Sequence, residues 1–110
     1  MLPKQNRLKR EEIDGLKNRK TNLIQGKFFG LLFEKKKGLS KFGVIVSANI
    51  SKKASDRNKI KRMFYSAIGR EEKWQEQGSF LFLAKKNCLN AEKREIEQEI
   101  VFLANKLSKI

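Results

Sequence analysis

One segment constrains the fold of this chain more than any other. Residues 52–68 have the sequence KKASDRNKIKRMFYSAI, in which apolar side chains recur at i, i+3, i+4, i+7 and i+8. The apolar positions are Ile60, Met63, Phe64, Ala67 and Ile68. This spacing predicts an amphipathic helix with one stripe on a hydrophobic core. Ser55 or Asp56 is the expected cap of its first turn, and Gly69 is expected to end it in a left-handed conformation.

A neighbouring face of the same helix is polar and cationic. It carries Asn58, Lys61, Arg62 and Tyr65. Lys53 and Arg57 extend the charge toward the start of the helix at the i, i+4 spacing, which weakens an isolated helix by repulsion. A basic patch on one helix face is the electrostatic footprint of a nucleic-acid-binding protein. We therefore favour RNA contact over ordinary solvated charge for this face.

The charge of the whole chain supports the same interpretation. There are 26 Lys and Arg residues against 12 Asp and Glu, a net charge of +14. Such an excess attracts phosphate backbones through counterion release. An anionic membrane surface is the alternative partner, but the basic residues are spread along the chain instead of lying on one amphipathic helix. No apolar run approaches the ~20 residues that span a bilayer, so we expect a cytoplasmic protein and no membrane partner.

The remaining segments predict a single domain over residues 1–110, with residues 1–9 as a basic N-terminal arm. Helices are expected at about 10–18 and 91–108, and Asn90 is the expected cap of the second. Strands are expected at 27–34, 42–47 and 79–84, with a further short strand possible at 21–24. The first two of the three firm strands are expected to pair as a β-hairpin. The order of elements predicts an α+β fold, a two-layer sandwich in which a small sheet packs with about three helices.

The first firm strand is apolar on both faces. Alternation places Phe29, Leu31 and Phe33 on one face, and Phe28, Gly30 and Leu32 on the other. The strand is therefore either central and covered twice, or it presents an apolar face to a ligand. For the strand phenylalanines we favour the core over a base-stacking role, because Phe is among the residues most often buried. These are Phe28, Phe29, Phe33, Phe42, Phe80 and Phe82.

The chemistry of an independent enzyme is missing from the sequence. The chain has no histidine, its aspartates are Asp14 and Asp56, and its one cysteine is Cys88. No paired carboxylates, phosphate-binding loop or nucleophile with a base can be recognised. We expect no catalytic residue and no metal ligand in this chain.

At the basic helix the chain closely resembles the protein component of bacterial ribonuclease P. The shared motif is KKAxxRNxxKR, present as Lys52, Lys53, Ala54, Arg57, Asn58, Lys61 and Arg62. The opening MLPKQNRLKR, the strand FGVIVS and the strand FLFLAKK are also similar to the family, so the resemblance covers nearly the whole chain.

The resemblance implies a function and a fold. The family's ribonucleoprotein removes the 5′ leader of precursor tRNA by hydrolysing a phosphodiester bond, and its RNA subunit carries the active site with its Mg²⁺ ions. The implied partners are that RNA subunit and precursor tRNA, and no DNA partner is expected. The implied fold is like domain 2 of ribosomal protein S5, with a left-handed β-α-β crossover that general handedness rules would not predict.

The resemblance also assigns site residues. The expected RNA-binding set is Lys52, Lys53, Arg57, Asn58, Lys61, Arg62 and Tyr65, and the weaker candidates for the leader cleft are Ile13, Leu16, Phe28 and Lys85. The chain departs from the family at Tyr65, where many members carry another basic residue. It also departs at Ile13 and Leu16, where members commonly have aromatic residues.

Two other classes of function remain open. A structural RNA-binding protein of rRNA or the ribosome would share this charge, size and fold class. A self-sufficient nuclease would require cleavage by the protein alone. If precursor-tRNA cleavage requires this protein, it is a ribonuclease P subunit and not a structural RNA-binding protein. Cleavage by the protein without RNA would show a self-sufficient nuclease.

Overall fold

A mixed four-stranded sheet organises the part of the chain that the computed structural model describes, which is residues 3–18, 22–70, 74 and 77–109. The strands are β1 (Asn22–Gln25), β2 (Phe29–Lys35), β3 (Lys41–Ile45) and β4 (Gly78–Ala84). The helices are α1 (Arg10–Asn18), α2 (Ala54–Arg70) and α3 (Lys93–Ser108), with short 3-10 turns at Lys4–Asn6 and Lys86–Asn90. The predicted α+β class is confirmed, and the optional short strand is present as β1.

The strand order is β1-β2-β4-β3, which makes the predicted hairpin of β2 and β3 wrong. β4 lies between them, antiparallel to β2 and parallel to β3. Short loops favour hairpins, but residues 36–40 can span the ~10 Å across one intervening strand. β4 takes the central place because both of its faces are apolar: Phe80, Leu81 and Phe82 are all fully buried.

The connection from β3 through α2 to β4 is a crossover between adjacent parallel strands. This is the β-α-β unit that the resemblance to the ribonuclease P protein implies. Its left-handed sense stays a prediction.

One face of the sheet carries the main core beneath α2 and α3. Phe29 from β2, Phe64 from α2 and Phe82 from β4 meet there, with ring centroids 4.7 to 5.8 Å apart. Trp74 packs edge-on against Phe80 at 5.0 Å. The apolar stripe predicted for α2 is confirmed, since Ile60, Phe64, Ala67 and Ile68 are buried and Met63 packs partly buried against them.

The opposite face carries a smaller cluster. Leu16 from α1 packs with Leu8 and Leu81, and Leu32 lies against them. β2 is therefore covered on both faces, which decides between the two alternatives left open by its sequence. The six phenylalanines that the sequence places on strands are at most 6% exposed, as predicted for core residues.

Three predicted helix ends differ from the structure. Ser55 and Asp56 lie inside α2 instead of capping it. Gly69 continues the helix and does not adopt a left-handed conformation, since among the described glycines only Gly38 and Gly78 have positive φ. α3 is capped by a reciprocal pair, in which Glu92 accepts from the backbone at Glu95 and Glu95 accepts from the backbone N–H of Glu92. Asn90 instead ends the preceding 3-10 turn.

Candidate RNA-binding site

The cationic face of α2 borders a depression of about 600 Å³. Its lining consists of Asn58, Lys61, Arg62, Tyr65, Ser66 and Arg7. The first four belong to the RNA-binding set predicted from the sequence. The helical period brings them together, because they lie at i, i+3, i+4 and i+7 on a face of α2 beside the buried stripe.

The other predicted RNA-binding residues lie around the start of α2, outside this lining. Lys52 and Lys53 precede the helix and are exposed. Arg57 is half-buried because it has a structural partner: its Nη1 donates to the carbonyl oxygen of Ser51 at 2.7 Å. The Ser51 hydroxyl in turn donates to Asp56 at 2.9 Å. Ser51, which sequence reasoning missed, therefore joins the entry loop to the first turn of the helix.

Arg7 and Ser66 line the depression but are absent from the RNA-binding set predicted from the sequence. The Arg7 guanidinium carbon lies 4.4 Å from the centroid of the Tyr65 ring, within the range of a cation–π contact. The sequence identifies Arg7 only as one of several cations in the N-terminal arm, and carries no signal of which of them meets α2.

The arm reaches Tyr65 because it pairs with the outer edge of β3. Arg7 forms a parallel bridge with Phe42, and the Leu8 backbone N–H donates to the Phe42 carbonyl at 2.8 Å. The Asn6 side chain donates to the Ser40 carbonyl at 2.9 Å. These bonds cover an edge that would otherwise expose unpaired backbone groups, so the arm is held on the sheet at this point.

A further contact holds the start of α1 beside the arm. Glu12 accepts a hydrogen bond from the Lys9 backbone N–H at 3.0 Å and forms an ion pair with Lys41 at 3.0 Å. The bond from Lys9, together with the Lys41 ammonium, holds the pKa of Glu12 below its ordinary value, although burial opposes the shift. This helix start is thereby joined to the first residue of β3.

Tyr65 is half-buried at the wall of the depression. Burial raises the pKa of its phenol above the ordinary value, while the Arg7 charge and a backbone hydrogen bond from Val44 act in the opposite direction. The phenol is neutral at physiological pH. Tyr65 therefore contributes an aromatic face and a polar edge, but no charge.

The four leader-cleft candidates are not brought together. Leu16 is 1% exposed in the cluster beneath α1, with Ile13 partly buried beside it. Phe28 is 6% exposed and belongs to the main core on the other face, so its predicted place with Gly30 and Leu32 is wrong. The reason is that Phe28 lies in the bend before β2, where strand alternation does not apply. Their contact with a leader stays a prediction.

Lys85 lies with Phe28 at the turn between β1 and β2. Its Nζ donates to the Gly26 carbonyl at 2.6 Å, and its backbone N–H donates to the Phe28 carbonyl at 2.8 Å. Asn87 donates to the Lys27 carbonyl at 2.8 Å. These residues satisfy the carbonyl groups of the turn, so Lys85 has a structural role in addition to its charge.

The donor groups around the depression suit an anion better than a cation. They are ammonium, guanidinium, amide, hydroxyl and phenol groups, whereas Mg²⁺ prefers carboxylate and carbonyl oxygens. Over the described ranges, no group of three His, Cys, Asp or Glu residues could hold a metal ion. Groups of this kind donate well to phosphate oxygens, so binding of RNA at this surface stays a prediction.

Comparison with solved structures supports the fold. The ribonuclease P protein from Thermotoga maritima superposes with a TM-score of 0.80 at 20% sequence identity, covering 91% of this chain and 96% of that one. The ribonuclease P protein from Staphylococcus aureus superposes with a TM-score of 0.77 at 18% identity, covering 96% of each chain. None of the curated proteins compared matches this sequence.

The family model for Ribonuclease P matches residues 2–108 of this chain. The chain belongs to the ribonuclease P protein family. The resemblance identified at the KKAxxRNxxKR motif is thus confirmed, and the function expected from it is that of a ribonuclease P protein subunit. A structural role on the ribosome is not favoured. In the part of the chain that is described, no helix has the length and hydropathy needed to cross a membrane.

Proposed function

We propose that this chain binds the RNA subunit of ribonuclease P through the cationic face of α2, and assists that RNA in removing the 5′ leader of precursor tRNA. Membership of the family carries the proposal. The structure adds that Asn58, Lys61, Arg62 and Tyr65 border one depression, beside a helix start that presents Lys52 and Lys53.

The charge distribution favours binding to a phosphate backbone over catalysis by the protein. The lining of the depression has no carboxylate and the chain has no histidine, so the depression lacks the side chains that most often act as general bases. Hydrolysis is therefore assigned to the RNA subunit, with Mg²⁺ held by RNA and substrate. In this scheme the protein neutralises phosphate charge where the two RNAs approach each other, and acts in the cytoplasm.

The test is cleavage of 5′-labelled precursor tRNA at low Mg²⁺ by a bacterial ribonuclease P RNA, with and without the protein. We expect the combination to produce correct 5′ ends either exclusively or at a much higher rate than the RNA alone. We expect no cleavage by the protein alone. No effect of the protein on a competent RNA would refute the proposal, and cleavage without RNA would place the active site in this chain.

A matched pair of variants locates the effect. Arg62 is exposed on the cationic face of α2, whereas Arg94 is exposed on α3 and lines a separate groove with Ala67 and Arg70. Arg62→Ala and Arg94→Ala remove the same charge. We expect Arg62→Ala to raise the protein concentration needed for half-maximal stimulation by about tenfold, in line with ~1–3 kcal/mol for a charged contact, and Arg94→Ala to leave it within twofold.

A further inference from the structure

The depression beside Tyr65 has the composition of a nucleotide site, which the binding of an RNA backbone does not by itself require. We propose that it takes one unpaired nucleotide of the bound RNA, with the base stacked on the Arg7–Tyr65 pair. The inference rests on the proposed function, because it specifies how the same surface binds RNA.

The first observation is the pairing of a planar cation with an aromatic ring. The guanidinium carbon of Arg7 lies 4.4 Å from the centroid of the Tyr65 ring, so a base in the depression would meet a planar cation and an aromatic ring that already contact each other. Unpaired RNA bases stack on aromatic side chains and on arginine guanidinium planes, whereas paired bases are not available for such contacts. Arg7 also comes from the arm and Tyr65 from α2, so the site exists only when the arm lies on β3.

The second observation is the set of polar groups around that stack. Lys61 and Arg62 supply two cations for phosphate oxygens. Asn58 and Ser66 supply an amide and a hydroxyl, which can donate to and accept from a base edge or a 2′-hydroxyl. A depression of about 600 Å³ falls within the size range of small-ligand sites.

The third observation is an unpaired donor. The Nε–H of Arg7 is buried and has no hydrogen-bond partner within the described part of the chain. A buried donor without an acceptor is costly, and most such groups in proteins are satisfied. Because this nitrogen is shielded from solvent, an RNA oxygen would accept from it only with a shift of the Arg7 side chain on binding.

No other described aromatic residue has these properties. Trp74 also has an unpaired buried donor, but it packs against the main core. Phe64 and the six phenylalanines that the sequence places on strands are buried. Phe102 is 46% exposed with Lys106 above it, but it borders a smaller depression lined by Glu95 and Glu99. Carboxyl groups disfavour a phosphate, which leaves the Arg7–Tyr65 pair as the stacking site next to cations.

The test is chemical probing of base edges in a bacterial ribonuclease P RNA bound to the full-length protein, with and without precursor tRNA. Dimethyl sulfate and a carbodiimide together report on all four bases. We expect the wild-type protein to protect at least one unpaired base that Arg7→Lys, which keeps the charge but not the plane, leaves reactive. We expect Arg7→Lys to weaken RNA affinity about tenfold, the effect of losing one stacked base.

Variants at the partner ring and a control on the arm make the test specific. Tyr65→Leu should lose the same protection, whereas Tyr65→Phe should retain it, because the ring remains. Lys4→Ala removes an exposed cation of the same arm and should leave the protection unchanged. The double variant Arg7→Lys/Tyr65→Leu should be no weaker than Tyr65→Leu alone, since both remove one stack.

The inference is overturned if Arg7→Lys protects the same bases as wild type and binds within twofold of it, or if wild type protects no unpaired base. Either result, found with a wild-type protein that stimulates cleavage, would leave the proposed function intact. A wild-type protein that does not bind the RNA would refute both.

Discussion

Glu99 on α3 accepts a hydrogen bond from the backbone N–H of Phe29, 70 positions away in the chain, at 3.1 Å. The same carboxylate oxygen accepts the Phe28 N–H, and the side chain is 6% exposed. A charged acceptor with two backbone donors is a strong arrangement, and it fixes the turn between β1 and β2 beneath α3.

We expect replacement of Glu99 to destabilise the fold. Glu99→Gln keeps the shape and one acceptor and should cost about 1–2 kcal/mol, while Glu99→Ala leaves two buried donors unpaired and should cost ~2–5 kcal/mol. Glu97→Gln on the same helix, at a partly exposed position, is the control and should stay within about 0.5 kcal/mol. Urea denaturation measures all three, and equal effects of Glu99→Gln and Glu97→Gln would contradict the role assigned to Glu99.

Gly78 is expected to tolerate no side chain. Its φ is 144°, and a Cβ there would collide with the carbonyl oxygen of Glu34 on the neighbouring strand. Gly38 is a matched control, because its φ is 119° but nothing lies within 4 Å of the Cβ position. Gly38→Ala should cost about 1–3 kcal/mol of backbone strain, and Gly78→Ala should cost clearly more or prevent folding. Similar unfolding midpoints for the two variants would show that the steric conflict is relieved elsewhere.

The apolar periodicity of the sequence predicts much of this fold. α1 has the predicted bounds, and the buried stripe of α2 is the predicted one, because a helix stripe depends only on local spacing. Strand pairing is different, since it depends on which strand, distant in the chain, is buried on both faces. Here that strand is β4, whose apolar residues 80–82 lie far in the sequence from the short loop that suggested a hairpin of β2 and β3.

The residues of the candidate site also differ in whether local sequence spacing could predict them. Asn58, Lys61, Arg62 and Tyr65 were predictable because one helix face carries them. Arg7 was not, because its place depends on backbone pairing of the arm with β3, and backbone hydrogen bonds impose no side-chain pattern. The leader candidates lie apart, since Phe28 is in a turn, where alternation cannot assign a face, and their contact with a leader stays a prediction.

Arg57 and Arg62 are expected to differ although both belong to the family motif. Arg57 donates to the Ser51 carbonyl, so Arg57→Ala should lower both the free energy of unfolding, by about 1 kcal/mol, and the affinity for RNA. Arg62 is exposed, so Arg62→Ala should lower RNA affinity alone. Each lost phosphate contact should reduce the slope of log affinity against log salt by about 0.7–0.9. Thermal melts without RNA and binding at several salt concentrations measure the two effects, and equal stability of both variants would contradict the assignment.

The net charge of +14 is expected to make the free protein dependent on anions. Self-repulsion destabilises the compact state, and an anion that binds the folded form stabilises it by mass action. Sulfate should therefore raise the midpoint of a circular-dichroism melt more than chloride of equal ionic strength does. Arg62→Ala with Lys61→Ala should reduce the difference between the two salts if the depression is a main anion site. A melt that sulfate does not change would refute the prediction.

Cys88 is expected to make the fold sensitive to alkaline pH. Burial raises the pKa of its thiol from the ordinary value of 9.0 to about 11, and its Sγ–H donates to the Phe28 carbonyl at 2.9 Å. Between these two values the unfolded chain has released the thiol proton while the folded chain still holds it. Stability due to the neutral thiol is therefore complete below about pH 9 and is lost as the pH rises toward 11.

The measurement is the urea midpoint of wild type and of Cys88→Ala at pH 8, 9, 10 and 11 under reducing conditions. Cys88→Ala should be less stable at pH 8, because it loses the buried sulfur and its hydrogen bond, and the gap should narrow as the pH rises. Lysine and tyrosine groups titrate in both proteins, so their contribution cancels in the comparison. A gap that stays constant from pH 8 to pH 11 would mean that the folded thiol ionises as readily as the unfolded one.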